Sequence, residues 1–290
     1  MQVRSAVIPA AGMGTRFLPA SKAVPKELLP IGDTPTLQLV IDEALGAGIE
    51  HIVVVSSRNK PAVEQYFAPS PELLDALEAS GKTALAERVR SIGSDWKATI
   101  VYQDNPRGLG HAVGCAAEAV GDEPFAVMLP DELMGDSSLL AQMNAVCAST
   151  GGSVVALKEV PHEDVGRYGV IDPAGPVDAD GVVPIRDMVE KPPVDEAPSD
   201  LVIIGRYVLT PDVFEEIAAG RVGALGEIQL TDALRVQASR APFSGVVSRI
   251  DRFDTGTPYG FLTAAIELGL RDPTWGKDLA AFLADLAART

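Results

Sequence analysis

Cysteine is almost absent from this chain of 290 residues, which contains only Cys115 and Cys147. Neither belongs to a Cys-x-x-Cys pair. A disulfide framework and a thiolate zinc site are therefore excluded as the basis of the fold. The histidines are equally few, and His51, His111 and His162 lie too far apart in the sequence to suggest a metal cluster.

Basic residues are also scarce. The chain has 24 Lys and Arg residues against 40 Asp and Glu residues, which gives a net charge of −16. Such a surface repels phosphate polymers at long range, so we expect no nucleic-acid partner. A small phosphorylated ligand is still permitted, because a few local cations and backbone amides outweigh a distant field.

A membrane segment is the third missing feature. No uncharged apolar run approaches the roughly 20 residues that span a bilayer. The first residues, Met1 to Arg4, lead directly into a strand-like segment and leave no room for a signal sequence. We therefore expect a cytoplasmic protein without a membrane partner.

Short β-branched runs do occur, and they alternate with longer helical patterns. We expect strands at Ser5–Pro9, Ile52–Val55, Ile100–Gln103 and Phe125–Leu129, and helices at Pro35–Leu45 and Ala112–Val120. This βαβ alternation predicts an α/β fold with a Rossmann-like, doubly wound, mainly parallel mixed sheet. Such sheets bind ligands beyond the carboxyl ends of their strands.

Two segments interrupt the alternation. Ser70–Ser94 has apolar residues at helical spacing and predicts an inserted helical pair, whose simplest role is packing or subunit contact. Asp172–Pro198 is rich in Pro, Gly and Asp, as interdomain linkers are. Its central part, Val182–Lys191, has an apolar content that suits a strand pair better than a solvated tether.

We therefore expect one continuous domain over residues 1–290, with a catalytic core at about 4–265. Residues 266–290 form a C-terminal helical segment in this interpretation. Its amphipathic part, Leu279–Leu286, is a candidate contact in a homo-oligomer, either a dimer or a tetramer.

A glycine-rich loop, Pro9–Arg16 (PAAGMGTR), directly follows the first predicted strand. Glycines let a backbone turn tightly and bring its N–H groups close to phosphate oxygens, and Arg16 adds a charged contact. Gly-x-Gly alone is a weak signal, because structural turns use it too. The loop lacks the Gly-Lys-Ser/Thr of a P-loop, and Phe17 stands where a dinucleotide fingerprint needs glycine. The second absence argues against an NAD-dependent dehydrogenase.

Three cations follow closely: Arg16, Lys22 and Lys26 fall within eleven residues of an otherwise acidic chain. A solvated basic turn is the structural alternative. Their position beside the glycine loop favours a phosphate site.

The segment Gly12–Pro30 (GMGTRFLPASKAVPKELLP) resembles the signature of sugar-nucleotide pyrophosphorylases. Four further segments resemble the bacterial glucose-1-phosphate uridylyltransferase branch of that family: GLGHA at 108–112, PDE at 130–132, VEKP at 189–192 and GEIQLTDA at 226–233. The resemblance implies a nucleotide-diphospho-sugar transferase fold with added sugar-binding loops. It also implies a Mg²⁺-dependent reaction of UTP with glucose 1-phosphate that yields UDP-glucose and pyrophosphate.

The resemblance places the nucleotide on the first half of the chain. It implies that the glycine loop, including Gly14 and Thr15, wraps the triphosphate, while Arg16 and Lys26 assist the departing pyrophosphate. It places around the nucleoside a second set: Ala10, Ala11, Gly12 and Glu27, with Gln103 and Gly108 at the base. An amide such as Gln103 carries both a donor and an acceptor, as the edge of uracil requires. From the sequence alone, without the family resemblance, Gln103 would be interpreted as an ordinary polar residue at the end of a strand.

The resemblance also assigns the metal and the sugar. Asp131 follows an apolar strand and is the candidate Mg²⁺ ligand, with Asp254 as a second carboxylate, although Asp-Thr-Gly is also ordinary turn chemistry. Glu190 is expected to accept hydrogen bonds from sugar hydroxyls, and Lys191 to neutralise the sugar phosphate. Gly169 corresponds to a glycine that lets the sugar approach the backbone.

The chemistry expected here is direct in-line displacement, which needs no general base because the attacking phosphate oxygen is already ionised. We therefore expect His111 to act by position, either capping the helix at Ala112 or packing beneath the base. A thymidylyltransferase that uses the same sugar phosphate is an alternative function, since no residue visibly discriminates uracil from thymine by the thymine methyl group. A non-catalytic nucleotide-sugar sensor is the alternative of a different class. The intact set of Arg16, Lys26, Asp131 and Lys191 argues against that sensor.

Overall fold

The computed structural model describes residues 2–94, 96–220 and 226–289, which form thirteen strands and eleven α-helices. The strands are β1 (Ser5–Pro9), β2 (Pro30–Ile31), β3 (Thr34–Pro35), β4 (His51–Ser56), β5 (Lys97–Tyr102), β6 (Phe125–Met128), β7 (Glu132–Met134), β8 (Ser153–Glu159), β9 (Gly169–Pro173), β10 (Val182–Glu190), β11 (Leu201–Leu209), β12 (Phe243–Val247) and β13 (Arg252–Asp254). The helices are α1 (Thr36–Gly46), α2 (Pro61–Phe67), α3 (Pro71–Ala79), α4 (Thr83–Ser91), α5 (Leu109–Gly114), α6 (Ala117–Val120), α7 (Ser138–Thr150), α8 (Val213–Ala218), α9 (Leu230–Ala238), α10 (Pro258–Leu270) and α11 (Gly276–Arg289).

Nine strands form one sheet in the order β5-β4-β1-β6-β11-β8-β12-β10-β9. The first four run parallel, and so do β8 and β12. The pairs β6–β11, β11–β8, β12–β10 and β10–β9 are antiparallel. The doubly wound α/β sheet is therefore confirmed. Its parallel half coincides with the βαβ alternation, whereas short loops such as 174–181 join antiparallel neighbours and make the other half more antiparallel than expected.

Helices cover both faces of this sheet, because its central strands are apolar on both sides. In β1, Ala6 and Ile8 belong to one buried cluster and Val7 to the other, as the two-residue period of a strand requires. The first cluster includes Leu37 and Ile41 of α1, and both side chains are fully buried. The second cluster packs beneath α5, α8 and α9.

The two segments that interrupt the alternation fold as expected. Ser70–Ser94 contains the helical pair α3 and α4. Within Asp172–Pro198, β10 pairs with both β9 and β12 and so belongs to the main sheet rather than to a tether. The C-terminal segment contains α11, and no helix among the described residues combines the length and apolarity needed to cross a bilayer.

The predicted helix Ala112–Val120 is wrong in both its start and its continuity. Gly108 has φ 108°, and a Cβ there would lie 2.6 Å from the carbonyl oxygen of Ile228, so only glycine makes this turn and α5 begins directly after it. At the other end, Ala116 N–H donates to Val113 rather than four residues back, and the helix breaks before α6. His111 therefore lies inside α5 and does not cap a helix beginning at Ala112.

Candidate active site

A cavity of about 320 Å³ lies at the carboxyl ends of β1, β5 and β6. Six of the residues predicted to bind the nucleotide or to act in catalysis line it: Gly12, Lys26, Glu27, Gln103, Gly108 and Asp131. They come from segments far apart in the sequence and meet because parallel strands end at the same edge of the sheet. Glu227 also lines the cavity, and its side chain was not predicted to do so.

The end of β1 is fixed by a lysine that the sequence did not single out. Ala10 and Ala11 are buried, and Lys60 Nζ donates to the Ala10 carbonyl oxygen over 2.8 Å. The same ammonium contacts the carboxylate of Glu27, with 3.1 Å to Oε2, and Glu27 is only 1% exposed. Burial lowers the pKa of Lys60, while the Glu27 charge opposes that shift. Lys60 thus joins the glycine loop to Glu27.

The remainder of the glycine loop is more open. Ser21 Oγ donates to the Gly14 carbonyl oxygen over 2.8 Å and fixes the turn, while Thr15 and Arg16 are exposed. Arg16 Nη1 donates to the Gly256 carbonyl oxygen over 3.2 Å. This bond brings the glycine loop close to Asp254, the second predicted metal ligand. Lys22, the third cation of the predicted cluster, is exposed.

Lys26 and Asp131 form an ion pair, with 2.6 Å between Nζ and Oδ2 and side chains 19% and 27% exposed. The backbone of Asp131 is held in turn by Thr255, whose N–H and Oγ1 donate to the Asp131 carbonyl oxygen over 2.7 and 3.0 Å. A predicted catalytic cation and the predicted metal ligand are therefore adjacent.

Asp254 lies close to the same point. A Cβ on Gly256 would lie 3.0 Å from Asp254 Oδ1, 3.2 Å from Asp131 Oδ2 and 3.4 Å from Arg16 Nη1. Two carboxylates thus converge beside an arginine, in a space that a side chain at residue 256 would fill. Two carboxylate oxygens suit a divalent metal that takes its remaining ligands from phosphate and water. No group of three or more His, Cys, Asp or Glu side chains arranged for a metal occurs in the described ranges.

Gln103 and Gly108, which were predicted to bind the base, both line the cavity, and His111 of α5 contacts Gln103. Gln103 is 4% exposed, and its Nε2 lies 3.2 Å from the Gly108 carbonyl oxygen and 2.8 Å from His111 Nδ1. Burial and the nearby Arg107 guanidinium lower the pKa of His111. His111 therefore contacts Gln103, which was predicted to bind the base, and does not cap a helix.

The predicted sugar residues form a second group. Thr231 Oγ1 donates to Glu190 Oε2 over 2.7 Å, and Lys191 Nζ lies 3.3 Å from Glu190 Oε1. A Cβ on Gly169 would lie 3.2 Å from Glu190 Oε2, so a side chain there would crowd the carboxylate. The segment 227–231 links this group to the cavity, because Glu227 lines the cavity and Thr231 contacts Glu190.

Lys191 has an unusual backbone. Its φ is 45°, the one positive φ found at a non-glycine residue in the part of the chain that the structure describes. Its N–H donates to the Tyr168 carbonyl oxygen over 2.9 Å, which holds the turn in place. Left-handed conformations at bulky residues cost about 1–3 kcal/mol and cluster at functional sites.

Two carboxylates next to the site residues, Glu132 beside Asp131 and Asp232 beside Thr231, have pKa values raised above the ordinary range. Burial raises the pKa of Glu132; contacts with Arg252 oppose this, and the neighbouring Asp254 and Asp131 charges add to it. Burial, with Glu190 nearby, also raises the pKa of Asp232, whose Oδ2 is buried without a hydrogen-bond partner among the described residues. Removing carboxylates from water and placing them close together produces both shifts.

Arg206 is the most important residue that the sequence reasoning missed. It is fully buried on β11 and forms an ion pair with Glu43 of α1, with 2.6 Å between Nη2 and Oε2. Its guanidinium also donates to the carbonyl oxygens of Leu129, over 3.1 Å, and Glu132, over 2.6 Å. These two carbonyls flank Asp131, so Arg206 fixes the turn that presents it. An arginine inside the apolar run LVIIGRYVL is a signal that could have found it, since a buried guanidinium needs partners.

Known proteins resemble this chain over nearly its whole length. The nucleotidyl transferase family model matches residues 5–269. The UTP–glucose-1-phosphate uridylyltransferase of Bacillus subtilis (strain 168) is 43% identical over 287 residues, 98% of this chain and 97% of that protein. A solved UDP-glucose pyrophosphorylase complexed with UDP-glucose has TM-score 0.83 and 40% identity, covering 93% of this chain and 100% of that one. The UTP-bound UGPase from Acinetobacter baumannii has TM-score 0.90 and 36% identity, covering 98% and 99%.

Proposed function

The chain belongs to the nucleotidyl transferase family, and on that premise we propose that it transfers the uridylyl group of UTP to α-D-glucose 1-phosphate, giving UDP-glucose and pyrophosphate. The observation that carries the proposal is the cavity in which Lys26, Glu27, Gln103 and Asp131 meet. The names of similar proteins support UTP over thymidine triphosphate, and two similar structures hold UTP and UDP-glucose.

The reaction is an in-line displacement at the α-phosphorus of UTP. An ionised phosphate oxygen of glucose 1-phosphate forms the new O–P bond. The bond to the β-phosphate breaks, and pyrophosphate leaves with its electron pair. No covalent enzyme intermediate and no general base are needed. Positioning and charge stabilisation supply the catalysis, as is usual for phosphoryl-type transfers.

The principal obstacle is repulsion between two anions. Lys26 lies at the cavity, Arg16 lies beside the Asp254 turn, and Lys191 lies at the sugar group. Arg16 and Lys26 stabilise the charge of the departing pyrophosphate, and Lys191 neutralises the attacking phosphate. Each well-placed cation contributes on the order of 3 kcal/mol to transition-state stabilisation.

A divalent metal fits the pair Asp131 and Asp254, because one oxygen of each lies within 3.2 Å of the position that a Cβ on Gly256 would take. We assign Mg²⁺, because it prefers oxygen ligands and retains positions for phosphate oxygens and water. When bound, it supplies positive charge that offsets the charge of the phosphates. Asp131 also orients Lys26 through their ion pair.

The remaining residues bind and orient the substrates. Ala10, Ala11, Gly12 and Glu27 surround the nucleoside, and the Gly14–Thr15 turn wraps the triphosphate. At the base, Gln103 and Gly108 read the pyrimidine. Glu190 accepts hydrogen bonds from sugar hydroxyls, and Gly169 leaves room for the ring.

We further propose that residues 1–290 act as one domain and that the protein is a cytoplasmic homo-oligomer. The sheet supports the first statement, because strands from both halves of the chain form one continuous sheet that is joined by the pairing of β6 with β11. The two C-terminal helices support the second, because Leu262 of α10 is 58% exposed and Phe282 of α11 is 56% exposed.

A pyrophosphate-release assay tests the reaction. Purified protein is incubated with each of the four nucleoside triphosphates and several sugar 1-phosphates, with and without Mg²⁺. We expect pyrophosphate with UTP and glucose 1-phosphate, and only when the metal is present. If no combination of substrates releases pyrophosphate, the protein is not a nucleotidyltransferase and a sensor role replaces this proposal.

The variant Asp131→Asn tests the metal carboxylate, because it keeps the shape of the side chain while removing the charge that pairs with Lys26 and that we propose binds the metal. Turnover should fall about a hundredfold or more. Unchanged turnover would remove Asp131 from the site.

A further inference from the structure

The hydrogen bonds of Gln103 determine which way its amide points. Its Nε2 lies 3.2 Å from the Gly108 carbonyl oxygen, which can only accept a hydrogen bond. The atom facing that carbonyl must therefore be the NH₂ group and not the amide oxygen, whichever way the two are labelled.

The same nitrogen fixes the tautomer of His111. It lies 2.8 Å from His111 Nδ1, and since it is a donor, Nδ1 must be the unprotonated, accepting nitrogen. Neutral His111 thus carries its proton on Nε2. Both protons of the Gln103 amide are used inside the protein, and the atom left for a ligand is the carbonyl oxygen Oε1.

We propose that His111 is a specificity-determining residue that acts through Gln103. It holds the Gln103 amide so that its carbonyl oxygen faces the nucleotide cavity. The site then favours a pyrimidine that presents a ring N–H donor at that edge, as uracil does at N3. It disfavours cytosine, which presents an unprotonated, accepting nitrogen at the same position.

This inference rests on the proposed function only in taking the cavity beside Gln103 as the base site. Selectivity of this kind arises when the wrong ligand leaves a buried polar group unpaired. His111 is a positioning residue in this role, because Gln103 and not His111 contacts the base.

Kinetics with UTP and CTP test the proposal in three proteins: wild type, His111→Leu and His111→Asn. Leucine cannot accept a hydrogen bond, so the UTP-to-CTP ratio of kcat/KM should fall about tenfold, mainly through a higher KM for UTP. Asparagine places an amide oxygen near the position of Nδ1 and should retain most of the ratio. An unchanged ratio in His111→Leu, or an equal loss in both variants, would overturn the proposal.

A double variant separates positioning from general damage. In a Gln103→Ala background, His111→Leu should lower the ratio no further, because His111 has nothing left to orient. A second loss of similar size in that background would show that His111 acts by another route.

The pH dependence of the wild type provides a test without any variant. Protonated His111 would have two N–H donors and could no longer accept from Gln103. Its pKa lies below the ordinary 6.5 because of burial and the Arg107 charge. The titratable or charged groups around it are Tyr102, Asp104, Arg107, Cys115, Glu215 and Glu227.

We therefore expect the UTP-to-CTP ratio of equilibrium affinities to be constant near pH 7 and to fall as the pH drops below 6.5. The two nucleotides carry the same triphosphate, so its own protonation cancels in the ratio. The ratio for His111→Asn should stay flat above the pH at which cytosine itself protonates. The protonation of His111 is followed by NMR in the same buffers, and a wild-type ratio that stays flat while His111 becomes protonated would refute its role. Binding is measured without glucose 1-phosphate, so this test still applies if no transfer reaction is found.

Discussion

Lys191 combines a charged side chain with a backbone conformation that lysine rarely adopts. Its position beside Glu190 is maintained at a cost in backbone energy, since left-handed φ values are unfavourable for residues with a Cβ. Glycine has no such penalty. The charge and the strain at this residue can therefore be separated by two substitutions.

We predict that Lys191→Ala and Lys191→Gly both lower turnover at least tenfold, because both remove the ammonium group that we propose neutralises the sugar phosphate. Their stabilities should differ. The glycine variant should have a free energy of unfolding about 1 kcal/mol higher than the alanine variant, because only alanine keeps the unfavourable φ. Steady-state kinetics and urea unfolding measure the two effects.

Lys277→Ala is the charge-matched control for these variants, because Lys277 is an exposed lysine at the start of α11. It should leave turnover and stability nearly unchanged. Near-normal turnover in both Lys191 variants would remove Lys191 from the mechanism, and equal stabilities would show that its φ carries little strain.

At the same scale, site residues that lie in sequence motifs were predicted, whereas residues that hold them in position were missed. Lys26, Glu27, Gln103 and Asp131 follow strand ends or the glycine loop, and the structure brings them together. Lys60 was missed because it contributes through contacts with Ala10 and Glu27, which exist only after β4 and the loop have folded side by side. Local spacing does not reveal such long-range pairs.

At the scale of elements, the turn between β6 and β7 is held by a contact with β11, which is distant in sequence. Arg206 of β11 donates to the carbonyl oxygens on both sides of Asp131, and Glu43 of α1 balances its charge. Removing one member of a buried ion pair leaves the other charge uncompensated, which costs about 3–5 kcal/mol.

We predict that Arg206→Met lowers the free energy of unfolding by about that amount. The double variant Arg206→Met/Glu43→Leu should recover most of the stability, because no unpaired charge is left. Turnover should stay low in the double variant, since the Leu129 and Glu132 carbonyls still lack their donor and Thr255 is left to hold the turn that presents Asp131 without Arg206. Urea unfolding and steady-state kinetics on the three proteins test this. Full recovery of turnover in the double variant would mean that Arg206 does not position the turn.

The elements themselves were predictable where one periodicity continued over a whole segment. The apolar runs of β1, β4 and β6 and the stripe of α1 are clear in the sequence, and the structure places them close to the expected bounds. The prediction of a helix over Ala112–Val120 was wrong because two contacts change its bounds. The Ile228 carbonyl oxygen leaves room only for glycine at 108, directly before α5 begins at Leu109, and the Ala116 N–H donates to Val113, which ends α5 early. The pairing of β11 with β6 and β8 also lies beyond local patterns, because strand order depends on contacts distant in sequence.

For the whole molecule, the distribution of charge matters more than its total. A net charge of −16 opposes the approach of two phosphate esters, yet Arg16, Lys26 and Lys60 gather at one edge of the sheet. Exposed charges more than about 10 Å away are largely screened at physiological salt, so the field in the site is determined by the groups at that edge, including the Asp131 and Glu27 carboxylates that are paired with Lys26 and Lys60. An acidic protein can therefore bind anionic substrates there.

The two C-terminal helices provide the remaining test at this scale. Phe282 and Leu286, one turn apart on α11, are 56% and 42% exposed, and contiguous exposed apolar surface commonly marks an interface. We predict that the wild-type protein has a solution mass that is a multiple of 30.4 kDa, and that Phe282→Asp shifts it toward the monomer without changing its circular dichroism. Burying a new carboxylate in an apolar contact would be costly, which is the physical reason for the shift. Lys277→Asp introduces a carboxylate on the same helix at a polar position and should leave the mass unchanged. Light scattering measures all three proteins, and a monomeric wild type at about ten micromolar would contradict the homo-oligomer.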